Sequence, residues 1–125
     1  MNSKAHNILI CDDDQLIVNV VALSLDLAGY SVSKSMDGVQ GLSMIKQQPG
    51  HYDLLIVDHI MPNLDGLGFV RELRKWKFTG KIVVLSGHLD DQVQEEYRKL
   101  SVEKIMAKPY KMDDLLNNVA GLLAK

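Results

Sequence analysis

Four short apolar runs in this chain each stop at a polar, chemically reactive side chain. The runs cover positions 8–11, 54–57, 82–85 and 105–107, and they are followed by Asp12 with Asp13, Asp58, Ser86 and Lys108. If all four runs are parallel strands, their carboxyl ends lie along one edge of a sheet. The pattern therefore predicts that two or three carboxylates, a hydroxyl and an ammonium group converge on one pocket.

The same runs indicate the fold class. They are apolar at every position, which is typical of strands buried on both faces, and the segments between them have helical spacing. A further strand at positions 31–36 alternates serine with Val32, Lys34 and Met36, so we place it at a sheet edge. Five strands, each followed by a helix, predict an α/β fold with a five-stranded parallel sheet and helices on both faces. At 125 residues, we expect a single domain over positions 1–125.

Helix boundaries are marked by capping residues. Leu16, Val20, Leu23 and Leu27 mark the first helix, which we expect to stop at Gly29 in a left-handed conformation. The predicted N-caps of the first four helices are Asp14, Asp37, Asp65, and Asp90 or Asp91.

Composition excludes several function classes. A net charge of −2 argues against direct binding to nucleic acid, which normally needs a basic surplus. The single cysteine, Cys11, lies inside an apolar run, so we expect a buried thiol and a reducing compartment. No apolar run has the length needed to cross a bilayer. We therefore expect a soluble cytoplasmic protein.

Charge counting predicts a metal at the strand ends. Asp12, Asp13 and Asp58 bring three negative charges, and Lys108 returns one positive charge. Two carboxylates ~4 Å apart repel by about 4 kcal/mol at an effective dielectric near 20, so either one is protonated or a divalent cation lies between them. Oxygen ligands without His or Cys favour Mg²⁺, which suggests phosphate chemistry. One carboxylate would attack phosphorus, with Lys108 and Ser86 binding the phosphoryl oxygens.

These residues resemble the receiver domain of bacterial two-component response regulators. The resemblance covers essentially the whole chain and rests on four segments: ILICDDD at 8–14, LLIVDHIMPNLDG at 54–66, VVLSG at 83–87 and MAKPY at 106–110. The aspartate, Met-Pro and Asp-Gly spacing in the second segment is the most specific. The resemblance implies a flavodoxin-like strand order, 2-1-3-4-5.

The resemblance also implies a role for each site residue. Asp58 is similar to the phosphoacceptor, which takes a phosphoryl group from a histidine kinase or a histidine phosphotransfer protein. Asp13 resembles the direct Mg²⁺ ligand and Asp12 the ligand that acts through water. Asp58 and the backbone carbonyl of Ile60 are implied as further ligands.

Two further residues complete the implied site. Lys108 resembles the lysine of the family, with an expected cis peptide bond to Pro109, and Ser86 resembles the hydroxyl that moves toward the phosphoryl group. Such a domain catalyses its own phosphorylation and slow dephosphorylation and is not a turnover enzyme.

Three positions depart from the family pattern and are expected to modulate the site. Where receivers usually carry Tyr or Phe, three residues before Lys108, this chain has Ile105, so the aromatic half of the usual switch is missing. The two variable positions that influence attack by water are Ile60 and His88. Because Ile60 is bulky and apolar, we expect a phosphorylated lifetime longer than that of fast chemotaxis-type regulators.

Two alternative functions stay open at this stage. A haloacid-dehalogenase-like phosphatase would use Asp12 as nucleophile and Asp14 as general acid, although Asp14 is explained as a helix cap. A degenerate receiver would bind partners without phosphate, which the full acidic set disfavours.

The end of the sequence bears on the expected partners. We expect no output domain after the last helix, which leaves three options: a free-standing regulator that signals by contact with a downstream protein, a phosphorelay intermediate, or an excised receiver. From Met1 we expect a free-standing or N-terminal receiver. We expect no direct contact with DNA or membrane, and homodimerisation on phosphorylation is a further option.

Overall fold

A computed structural model describes residues 5–87 and 90–124, and within them five strands alternate with five helices. The strands are β1 (Asn7–Cys11), β2 (Ser31–Ser35), β3 (Leu54–Asp58), β4 (Lys81–Ser86) and β5 (Lys104–Ala107). The helices are α1 (Gln15–Leu27), α2 (Gly38–Gln47), α3 (Gly66–Lys75), α4 (Asp91–Lys99) and α5 (Met112–Leu123). All strand pairs are parallel, and the order is β2-β1-β3-β4-β5. The predicted fold class is confirmed.

Burial along the strands follows their place in the sheet. The central strands β1, β3 and β4 are buried at nearly every position. The edge strands β2 and β5 each contain exposed, half-buried and buried residues. Side chains of β1 divide between two apolar clusters, with Ile8 and Ile10 on one face and Leu9 and Cys11 on the other. Burial raises the pKa of the Cys11 thiol to about 12, as expected for a buried cysteine.

The predicted helix caps are present. Asp14, Asp37, Asp65 and Asp90 each accept a hydrogen bond from a backbone N–H three residues later, and Asp91 lies in the first turn of α4. Helix α1 ends at Leu27, and the chain turns at Gly29 as predicted, with a φ of 101° in the left-handed region. The backbone N–H groups of Gly29 and Tyr30 donate to Asp26 and Leu25, which closes the helix end.

The apolar residues that mark α1 in the sequence do not face the core. Leu16 is 71% exposed and Leu27 78% exposed, and Val20 and Leu23 are also exposed. The buried face carries Val18, Val21, Ala22 and Leu25 instead. Helix α1 is apolar on both faces, so hydrophobic spacing identified the helix but not the side that packs.

Among the described residues, no helix combines the length and apolar character that a membrane span requires.

Candidate functional site

Three carboxylates meet at the carboxyl edge of the sheet. Asp12 and Asp13 follow β1, Asp58 ends the adjacent strand β3, and each contributes an oxygen that lies within 4.8 Å of the others. Asp12 and Asp58 are 2% and 8% exposed, whereas Asp13 is open to solvent. The pairing of β1 with β3 therefore brings together the acidic residues that the sequence placed at separate strand ends.

The ammonium group of Lys108 enters the same pocket from β5. Its Nζ donates a hydrogen bond of 2.7 Å to Asp58 Oδ1 and lies 4.0 Å from Asp12 Oδ2. Burial alone would lower the pKa of Lys108, but the hydrogen bond and charge of Asp58, with the charge of Asp12, outweigh it and raise the pKa. Lys108 is therefore a charged donor directed at the acidic cluster, and its peptide bond to Pro109 is cis, as expected.

Asp12 has an unusual environment. Its Oδ1 accepts a hydrogen bond of 2.9 Å from the Asp14 backbone N–H, but its buried Oδ2 has no hydrogen-bond partner within residues 5–87 and 90–124. Burial, together with the charges of Asp58 and Asp13, raises the pKa of Asp12 despite the opposing hydrogen bond and the charge of Lys108. A buried carboxylate oxygen without a partner is costly. This donor set fits a hard divalent cation such as Mg²⁺.

Ser86 is brought to the same edge. It ends β4, which lies between β3 and β5, and it is 2% exposed. The Lys108 backbone N–H donates to the Ser86 carbonyl at 2.8 Å, which joins the ends of β4 and β5. Asp58, Ser86 and Lys108 thus lie at the carboxyl ends of three neighbouring strands.

The predicted modulating positions differ in their surroundings. The Ile60 side chain is 63% exposed beyond the end of β3, and Ile105 is half-buried against the apolar cluster that contains Tyr97. His88 lies outside the described residues. The role of the Ile60 carbonyl as a ligand stays a prediction.

Sequence reasoning missed one contact beside the acidic cluster. His59 Nδ1 lies 2.6 Å from the hydroxyl oxygen of Tyr97 on α4, and the two rings meet edge to face. Tyr97 is the large hydrophobic side chain of a strongly polar helix, which is the one signal that could have indicated it.

Comparison with known proteins identifies the family. The model of the response regulator receiver domain matches residues 8–120. The chain belongs to the receiver family. Receiver domains interact with histidine kinases and bind Mg²⁺ at an acidic pocket, and the cluster of Asp12, Asp13 and Asp58 in this receiver is consistent with such a pocket.

Similar full-length proteins are response regulators. The receiver is 32% identical over 121 residues to the DNA-binding dual master transcriptional regulator RpaA of Synechocystis, covering 94% of this chain and 49% of the relative. It is 35% identical over 120 residues to the response regulator MprA of Mycobacterium avium, covering 94% and 51%. The chain therefore spans about half the length of these two relatives.

Solved structures with the same fold include two response regulator proteins whose sequences are more than 25% identical to this chain. The receiver domain of the Francisella response regulator 1452 is 26% identical with a TM-score of 0.87, and the match covers 95% of this chain and 97% of that one. The Thermotoga maritima response regulator TrrA, solved in complex with Mg²⁺ and BeF, is 27% identical with a TM-score of 0.81, covering 94% and 98%.

Family membership argues against the phosphatase alternative. Domains of this family are generally not turnover enzymes, and the matching family is not the phosphatase that would use Asp12 as nucleophile. In agreement, Asp14, the acid of that alternative, accepts a hydrogen bond from the Ile17 backbone N–H as a helix cap.

Proposed function

We propose that this receiver accepts a phosphoryl group on Asp58 from a phosphohistidine and thereby changes its binding to a downstream protein. The observation that carries the proposal is the 2.7 Å hydrogen bond from Lys108 Nζ to Asp58 Oδ1 inside a buried acidic pocket. A carboxylate at this position is held near a positive charge and is only 8% exposed. It is therefore a positioned nucleophile rather than a solvated surface group.

The transfer follows from the positions of three side chains. An electron pair on a carboxylate oxygen of Asp58 forms the new P–O bond while the P–N bond to the donor imidazole breaks. The ring nitrogen keeps the electron pair of the broken P–N bond and takes a proton from solvent. Lys108 then exchanges its contact with Asp58 for a phosphoryl oxygen, and the Ser86 hydroxyl binds another.

Mg²⁺ is the cofactor that we infer for this step. Asp12, Asp13, Asp58 and the Ile60 carbonyl would hold the ion, and the buried Asp12 Oδ2 without a hydrogen-bond partner in the described residues supports its fit. When bound, the ion supplies positive charge that neutralises the carboxylates and the transferring phosphoryl oxygens.

A groove beside Lys108 offers a docking surface for a protein donor. It has a volume of about 530 Å³ and is lined mainly by apolar residues of α1, of the segment after β5 and of the start of α5: Ile17, Val20, Val21, Pro109, Tyr110 and Met112. A surface of this kind accommodates the side chains of a docking partner. It supports a histidine kinase or a histidine phosphotransfer protein as the donor.

Output is proposed to occur by protein contact. RpaA is described as DNA-binding, but this chain covers only 49% of it. For the residues described here, the absence of direct DNA binding stays a prediction from net charge, and homodimerisation on phosphorylation stays one as well.

Labelling with acetyl phosphate and with a radiolabelled phosphohistidine donor tests the proposal. In the presence of Mg²⁺, the wild type should gain one phosphoryl group, and Asp58→Asn should gain none. Asp14→Asn is the matched control, since Asn also caps helices and should keep full labelling. Unchanged labelling of Asp58→Asn would overturn the proposal, and labelling that disappears only in Asp12→Asn would support the phosphatase alternative.

A further inference from the structure

Helix α4 is joined to the body of the protein mainly through one side chain. Of its residues Asp91–Lys99, all of which are described, only Tyr97 is buried, and it is 0% exposed. Val93 is half-buried against the same cluster, while the remaining side chains are charged or amide groups. Apart from the exposed ion pair of Glu96 with Arg71 on α3, the position of Tyr97 therefore largely determines where the second half of α4 lies.

The hydroxyl end of Tyr97 meets the residue after the proposed phosphoacceptor. Its oxygen lies 2.6 Å from His59 Nδ1, and the ring centroids are 5.4 Å apart at an interplanar angle of 74°. The His59 backbone N–H donates to the Leu85 carbonyl at 2.9 Å, which holds the backbone after Asp58 against β4. Tyr97 thus contacts the residue that directly follows the proposed phosphoacceptor.

The start of α3 closes around the same contact. The Gly66 backbone N–H donates to the His59 carbonyl at 2.8 Å. A Cβ at Gly66 would lie 3.0 Å from the His59 Cα and 3.1 Å from the Asp58 carbonyl, and it would overlap the Tyr97 hydroxyl. Little free space separates Tyr97 from the backbone of Asp58 and His59, so movement of one is transmitted to the other.

The electrostatic environment agrees with this proximity. Burial, followed by the charges of Asp65 and Asp58, raises the pKa of Tyr97. The phenol therefore stays protonated and keeps an O–H for the contact with His59. A change of charge at Asp58 therefore changes the electrostatic potential at the Tyr97 hydroxyl.

We propose that Tyr97 is a positioning residue that couples the phosphorylation state of Asp58 to the position of α4 through its hydrogen bond with His59. The proposal rests on the function proposed above and adds a route by which phosphorylation of Asp58 changes the position of helix α4. The alternative is that Tyr97 has only a structural role, as a core tyrosine whose hydroxyl forms a hydrogen bond with the nearest histidine. The two differ in whether α4 responds to Asp58 when only the hydroxyl is removed.

The test uses Tyr97→Phe, which keeps the buried ring and removes only the oxygen. Tyr52→Phe is the matched control, because Tyr52 is also buried and also meets a histidine ring, His51, edge to face at 4.8 Å. Backbone amide NMR shifts of the full chain are recorded before and after addition of Mg²⁺ and beryllofluoride, a stable mimic of a phosphoryl group on aspartate.

The wild type and Tyr52→Phe should show shift changes both in the loop after Asp58 and along α4. In Tyr97→Phe, the loop changes should persist while the shift changes along α4 are largely lost. His59→Phe should reproduce this loss, and the double variant should lose no more than either single variant, since both remove the same contact.

Two other outcomes separate the inference from the proposed function. If the loop responds and α4 of Tyr97→Phe responds as in the wild type, the inference is wrong and the phosphoacceptor proposal stands. If the loop of the wild type does not respond at all, the pocket does not bind the mimic, and both proposals fall together.

Discussion

Lys108 Nζ lies 2.7 Å from Asp58 Oδ1, although the two residues belong to β3 and to the segment after β5 and are separated in the sheet by β4. The buried Ser86 ends β4, the strand between them. The ion pair of Lys108 and Asp58 therefore lies beside the acidic pair Asp12 and Asp13, and these four residues form the pocket.

Replacing Lys108 should slow phosphorylation while leaving the three carboxylates of the acidic cluster in place. In Lys108→Ala, the rate of phosphorylation by acetyl phosphate should fall by about 100-fold, because a charged donor to the developing phosphoryl charge is lost. Lys111→Ala is the control, since Lys111 is exposed and makes no side-chain cap bond to α5. Equal rates for both variants, measured by intact-mass spectrometry, would contradict the assigned role.

Asp12 should destabilise the fold without Mg²⁺ and stabilise it with Mg²⁺. In Asp12→Asn, the free energy of unfolding in EDTA should rise by roughly 1 kcal/mol, because the buried charge beside Asp58 is removed. The gain in stability that the wild type shows with millimolar Mg²⁺ should largely disappear. Urea unfolding of the wild type, Asp12→Asn and Asp14→Asn measures both effects, and loss of the Mg²⁺ effect in Asp14→Asn instead would argue against Asp12 as a ligand.

Because the pKa of Asp12 is raised, the difference in unfolding free energy between Asp12→Asn and the wild type should depend on pH. A carboxyl group whose pKa is higher in the folded state binds its proton more tightly there than in the unfolded chain. Its contribution to stability is therefore complete below the ordinary pKa of 3.8 and is lost as pH rises through the folded value. In EDTA, the stability of Asp12→Asn relative to the wild type should therefore increase as pH rises from 3.8 through the folded pKa and level off above it, and a relative stability that falls over this range would contradict the assignment.

Gly66 should tolerate no side chain. A Cβ there would contact the backbone of Asp58 and His59, so Gly66→Ala should lower the free energy of unfolding by about 1–3 kcal/mol. Gly121→Ala on α5 is the matched control. A Cβ there meets nothing within 4 Å, and the substitution should stabilise the helix by up to about 1 kcal/mol. Denaturant midpoints that move in the same direction for both variants would show that space at Gly66 is not limiting.

Ile60 should prolong the phosphorylated state. Its side chain is 63% exposed, so Ile60→Ala should fold normally while giving water easier access to the aspartyl phosphate. Loss of phosphate should then be several-fold faster in the variant than in the wild type, as followed by a time course of intact mass. A wild-type decay within seconds would refute the predicted long lifetime.

The sequence predicted those parts of the structure that depend on local pattern. Strand ends, parallel pairing and the caps at Asp14 and Asp65 follow from short apolar runs, crossover geometry and the preference of aspartate for N-caps. The convergence of Asp12, Asp58 and Lys108 followed in turn, because parallel strands place their carboxyl ends at one edge.

Two features could not be predicted because they depend on tertiary packing. Helix α1 is apolar on both faces, so nothing in its spacing distinguished the buried Leu25 from the exposed Leu27. The contact between His59 and Tyr97 joins residues 38 positions apart in the chain. It became visible only once α4 was packed against the end of β3.

Chemical mapping of the phosphorylated residue tests the central claim most directly. Borohydride reduces an aspartyl phosphate to homoserine, so the wild type is phosphorylated with acetyl phosphate and Mg²⁺, reduced, digested and sequenced by mass spectrometry. The account predicts homoserine at position 58 alone, and none when Mg²⁺ is replaced by EDTA. Homoserine at position 12 or 13, or a phosphorylated protein that yields none at position 58, would contradict it.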